Sequence, residues 1–184
     1  MRLVRGLPLA LAALMLTSMG FAKPPLELVD SVDLERYQGR WYEIALLPNR
    51  FQRRCASDTS AYYDKRDDGT IAVTNRCRQA DGEWRQVEGT ARLADPDGPT
   101  SALEVRFAPR WLSFLSFVWG DYRVIALGED YDYAMVGSEN RRYLWILARE
   151  PRLDSETMDR LREQAAAQGF DVDQLERTEH LGDA

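Results

Sequence analysis

The sequence predicts an all-β domain of eight short antiparallel strands, a sandwich or an up-and-down barrel, followed by one α-helix. Two patterns predict it. From Trp41 to Arg149 apolar and alternating runs recur between turn signals, and beyond residue 154 the apolar period lengthens from two to three and four. The size agrees: 184 residues, 45% hydrophobic and 29% charged, suit one soluble domain and exclude a disordered, collagenous or coiled-coil chain.

The elements follow in order. Trp41–Leu47 is the first strand. Thr59–Asp64 and Ile71–Arg76 flank Asp67-Asp68-Gly69, a hairpin signal because glycine supplies the positive φ of a tight turn. Trp84–Leu93 precedes Asp95-Pro96-Asp97-Gly98-Pro99, which reads as a turn. In Leu103–Phe107 the apolar Leu103, Val105 and Phe107 alternate with Glu104 and Arg106. Tyr122–Leu127, Tyr133–Gly137 and Tyr143–Ala148 complete the eight. The helix begins at an Asp154 or Ser155 cap, gathers Met158, Leu161 and Ala165 on one face, and stops at Gly169. Phe170 and Val172 read as a last extended piece, and the tail from Glu176 as polar.

The first 22 residues read differently. Arg2 and Arg5, the apolar run Leu9–Leu16 and the small residue Ala22 form the pattern of a cleaved secretory signal, leaving a domain of residues 23–184. That domain carries 22 basic and 30 acidic side chains, a net charge of −8 against −6 for the whole chain. An acidic surface argues against nucleic acid as a partner. Export implies an oxidising compartment, so Cys55 and Cys77, the two cysteines of the chain, are expected to pair. No cysteine lies near residue 22, so a lipid-anchored N-terminus is not expected. The one histidine, His180, rules out multi-histidine metal sites and most histidine-based catalysis. With no Cys-x-x-Cys or Gly-x-Ser-x-Gly, neither metal nor cofactor is implied, and the expectation is a non-enzyme.

Three motifs carry a family resemblance. Gly39-Arg40-Trp41-Tyr42-Glu43-Ile44-Ala45 opens the first strand, Tyr143-Leu144-Trp145-Ile146-Leu147-Ala148-Arg149 closes the last, and Gly128-Glu129-Asp130-Tyr131 sits between the sixth and seventh. Across residues 28–180 the chain resembles a lipocalin of the bacterial outer-membrane type, similar to apolipoprotein D and the plant temperature-induced lipocalins. The middle motif departs from the family's Thr-Asp-Tyr order. The resemblance implies an eight-stranded up-and-down barrel with the helix packed outside. It makes Gly39, Trp41 and Arg149 structural markers, with Trp41 plugging the closed end under the Arg149 guanidinium.

With Trp41 inward, alternation assigns a ligand-binding lining of Ala61, Tyr63, Val105, Phe107, Tyr122, Val124, Tyr143 and Trp145. An apolar, aromatic lining suits a fatty acid or lysophospholipid. The loop Arg110–Gly120 holds seven large apolar residues among its eleven. Its Trp111, Phe114, Phe117 and Trp119 are expected to contact a membrane interface, the alternatives being a lid over the mouth or a dimer contact. Arg50, Arg53 and Arg54 in the first loop either grip an anionic headgroup or form a solvated face. The resemblance implies lipid storage or transport in envelope maintenance under stress, in the periplasm or secreted, peripheral to the outer membrane, as monomer or homodimer. The competing expectations are a lipocalin-fold enzyme acting on a lipophilic substrate and a protein-interaction module built on the Trp111–Trp119 loop.

Overall fold

Each of the eight runs forms a strand. They are β1 (Gly39–Leu46), β2 (Ser57–Lys65), β3 (Ile71–Arg78), β4 (Trp84–Leu93), β5 (Ala102–Arg106), β6 (Gly120–Leu127), β7 (Tyr133–Gly137) and β8 (Leu144–Ala148). Sequential strands pair antiparallel, and β1 pairs with both β8 and β2, which closes the sheet into an up-and-down barrel. Closure removes exposed strand edges. The structure, a computed structural model, describes residues 24–182, so the expected leader at 1–22 lies outside the described residues.

Two apolar clusters divide the interior. Inside the barrel, Trp41, Tyr63, Val73, Leu103, Val124, Val136 and Leu147 pack toward one end. Outside it, Met158, Leu161 and Ala165 of the long helix, which follows Asp154 as cap and spans Ser155–Ala167, lie on Ile125, Met135, Leu144 and Ile146. Strict alternation allots these faces in β7 and β8. In β1 and β6 it does not, because a bulge falls between Glu43 and Ala45 and another between Val124 and Ala126. Each bulge turns two successive residues toward the helix, Ile44 with Ala45 and Ile125 with Ala126. Gly137 sits under Phe170, whose ring would meet an added Cβ at 2.6 Å, so the chain beyond the helix docks on bare backbone there.

Three elements differ from expectation. A one-turn helix, α1 (Leu34–Tyr37), precedes β1, capped by the Asp33 side chain accepting from the Glu35 and Arg36 amides; the main helix is α2. Val172 begins a 3₁₀ turn rather than an extended piece. The polar tail is not loose: Glu176–Arg177 forms β9, paired with Ala45 and Leu46 of β1.

Beyond β9 the tail fills a seam. β1 and β2 pair directly from Gly39–Tyr63 to Tyr42–Ser60 and then diverge. Thr178 donates its amide to the Ile44 carbonyl at 3.0 Å, and Asp58 donates its amide to the Glu179 carbonyl at 2.8 Å. His180 joins at the Glu43 carbonyl, and the Leu181 amide donates to the Asp58 carboxylate, each at 2.8 Å. The tail's backbone thus supplies the partners that the two parting strands lack.

Candidate functional site

Strand direction gives the barrel a closed and an open end. At the closed end the Trp41 ring is fully buried, its indole N–H donating to the Tyr37 carbonyl at 2.8 Å. The Arg149 guanidinium stands 3.9 Å over that ring and donates to the carbonyls of Arg36, Arg40 and Tyr131. Gly39 sits at φ +93°, where a side chain is strained, and an added Cβ would stand 3.4 Å from Arg149 Nη1.

Above this plug three phenols form a buried chain. Tyr122 donates to the Tyr63 hydroxyl at 2.9 Å, which leaves Tyr122 to accept from Tyr37, also at 2.9 Å. The proton left over belongs to Tyr63, whose side chain borders the space above. Burial pushes the Tyr63 phenol up to about 12 and raises Tyr37 and Tyr122 as well, so all three are neutral donors at physiological pH.

Tyr63 and Tyr122 floor a cavity of about 1030 Å³ that opens at the other end. That is at the upper limit of small-molecule pockets, about 300–1000 Å³. Seven of the eight residues assigned to the lining border it: Ala61, Tyr63, Val105, Phe107, Tyr122, Tyr143 and Trp145. Val124 does not. It faces inward as alternation requires but lies in the packed cluster around Trp41, fully buried.

A family model described as a lipocalin-like domain matches residues 32–180. The chain belongs to the lipocalin family. It is 41% identical over 157 residues to temperature-induced lipocalin-1 of Arabidopsis thaliana, covering 85% of this chain and 83% of that protein. It is 38% identical over 176 residues to the outer membrane lipoprotein Blc of Escherichia coli strain K12, covering 94% of each. Among solved structures, insecticyanin of the tobacco hornworm Manduca sexta superposes with a TM-score of 0.64 at 20% identity, over 86% of each chain, a likeness of fold. Lipocalins bind small hydrophobic ligands, and the cavity of this lipocalin is the place for one.

The wall contains a carboxyl group that periodicity alone did not single out. Glu43, two residues after Trp41 and on the same face, is 4% exposed and borders the cavity. Gln52 donates to its Oε2 at 2.5 Å and Thr178 to its Oε1 at 2.7 Å. Burial raises its pKa and these two hydrogen bonds oppose the rise. The Gln52 carbonyl oxygen also accepts from the Trp145 indole at 2.8 Å. One side chain of the first loop therefore ties barrel wall and mouth together.

At the mouth Cys55 and Cys77 form a disulfide, with Cα atoms 5.5 Å apart, fastening the first loop to β3. The loop 110–120 coils into two 3₁₀ turns, Arg110–Leu112 and Ser116–Val118, so its backbone finds local partners while its side chains stay out. Trp111, Phe114 and Phe117 are 72%, 78% and 80% exposed. Trp119 is not equivalent to them. Its ring packs 3.9 Å from the Arg92 guanidinium and 5.2 Å from that of Arg106, and its indole donates to the Ser113 carbonyl. A tryptophan so engaged braces the base of the loop against β4 and β5. Among the described residues no helix is long and apolar enough to cross a membrane.

Proposed function

We propose that this lipocalin carries one single-chain amphipathic lipid, a fatty acid or lysophospholipid, for maintenance of the bacterial envelope under stress. The observation that carries the reading is the one-ended cavity of about 1030 Å³ whose walls are aromatic and aliphatic for most of its depth. An acyl chain fits the shape, and a headgroup remains at the mouth. The disulfide supports an oxidising compartment outside the cytoplasm. The likeness to proteins named outer membrane lipoprotein supports the envelope as the place of work.

The exposed loop adds a docking role. Trp111, Phe114 and Phe117 form an apolar tip beside Arg110, at the same end as Arg50, Arg53 and Arg54. Aromatic rings with flanking arginines suit the headgroup boundary of an anionic bilayer, and contact there presents the mouth to the lipid it takes up.

Titration of the purified protein with a fluorescent C18 fatty acid below its micelle concentration tests the carrier reading. Saturable one-to-one binding, competed by unlabelled lysophospholipid, is expected. Absence of saturable binding to any single-chain lipid overturns it, and turnover of a bound lipid that a single pocket substitution abolishes would make the protein an enzyme instead.

A further inference from the structure

The buried and half-buried arginines of the domain are not alike, and one, at the mouth, stands apart. Arg78, Arg106, Arg123, Arg141, Arg149 and Arg162 are buried or half-buried, and each has a carboxylate, carbonyl or ring partner. Arg85 on β4 is also half-buried, and among the described residues it has no hydrogen-bond, ion-pair or ring partner. A partly desolvated guanidinium without an acceptor is costly, which makes this position one that wants an anion.

The disulfide brings more charge to the same place. Arg85 is the cross-strand partner of Cys77. Cys77 is bonded to Cys55, and Cys55 directly follows Arg53 and Arg54, which border the same cavity and likewise have no partner among the described residues. The two acidic residues on the cavity wall do not neutralise this cluster. Glu43 is held by Gln52 and Thr178, and Asp121 pairs with Arg123 at 3.1 Å. A chain of net charge −6 thus keeps three unmatched cations at its one opening.

We propose that Arg85, with Arg53 and Arg54, selects a phosphate monoester as the polar end of the ligand, a inference that rests on the lipid-carrier reading. The planar guanidinium fork matches phosphate oxygens bidentately, and two negative charges draw on several arginines at once. A choline or ethanolamine headgroup places its own cation among them, where like charges repel.

The test compares three lipids with the same C18:1 chain, each below its micelle concentration: monoacylglycerol phosphate, lysophosphatidylcholine and uncharged monoacylglycerol. The phosphate monoester is expected to bind at least about tenfold tighter than the choline lipid, an advantage that shrinks with added salt. In Arg53→Gln/Arg54→Gln/Arg85→Gln that advantage disappears while monoacylglycerol binding stays within about twofold, which also shows that the variant is folded. Equal affinity for all three lipids overturns headgroup selection and leaves the carrier reading standing; no binding of any of them overturns both. Glycerol 3-phosphate, which lacks the acyl chain, separates the sources. Displacement of the lipid at matching concentrations would make this a site for a soluble phosphoester and overturn the assignment to lipid.

Discussion

At the closed end of the barrel an arginine, Arg149, covers a buried tryptophan and donates to three carbonyls. At the open end another arginine, Arg85, has no partner among the described residues, and another tryptophan, Trp111, is 72% exposed. The same residue types are held by the fold at one end and left facing the mouth or solvent at the other. What separates them is the supply of local acceptors. The carbonyls of Arg36, Arg40 and Tyr131 converge on Arg149, whereas Arg53, Arg54 and Arg85 at the mouth meet no acceptor among the described residues.

Substitutions at the two ends should therefore differ in kind. Trp41→Ala removes the plug and the platform under Arg149, and a loss of about 3–5 kcal/mol is expected in urea unfolding. A loss under about 1 kcal/mol would break the contrast. Cys55→Ser/Cys77→Ser releases a loop closed at a sequence separation of 22 and should cost about 3 kcal/mol in the same assay under oxidising conditions. It should also weaken preference for the phosphate headgroup, since it frees Arg53 and Arg54 from Arg85.

Glu43 lies between the two ends and gives a pH signature. Burial outweighs its two hydrogen bonds, so the folded carboxyl binds its proton more tightly than the unfolded one, whose ordinary value is 4.5. Its contribution to stability is then complete below that value and lost as pH rises through the folded one. Thermal unfolding from pH 4 to 7 should show the wild type losing stability relative to Glu43→Gln as pH increases. Parallel curves would show that burial does not dominate at this site. The smallest stability effect belongs to Phe114→Ser/Phe117→Ser, expected within about 0.5 kcal/mol of wild type. That variant should nonetheless co-sediment several-fold less with anionic vesicles. Unchanged partitioning sinks membrane docking, and a light-scattering mass that drops from dimer to monomer would reassign the loop to self-association.

Strand order, hairpins and the helix face were legible because each rests on a short-range period or a single turn residue, such as Gly69 at φ +79°. Depth was not. Alternation places Val124 on the inner face without saying that it falls among the plug rather than the cavity wall. The tail escaped because much of its worth lies in backbone pairing with residues more than a hundred positions away, of which its side chains carry no periodic trace. Glu43 and Arg85 were within reach. Glu43 shares the face of Trp41, and Arg85 is set opposite Cys77 by the β3–β4 hairpin. Each is a charge where the pattern asks for an apolar residue, the mark of a site with another purpose.

The seam between β1 and β2 sets an order of events for a newly made chain. Its far side is supplied by residues 135 and 137 positions beyond Glu43, so the wall that holds this carboxyl stays open until residue 180 has been made. A chain not yet made that far has β1 and β2 joined only from Gly39–Tyr63 to Tyr42–Ser60, with the stretch beyond still to be bridged. Completion of this wall is thereby one of the last pairings open to the chain, made by residues 176–181 and not by the eight strands alone.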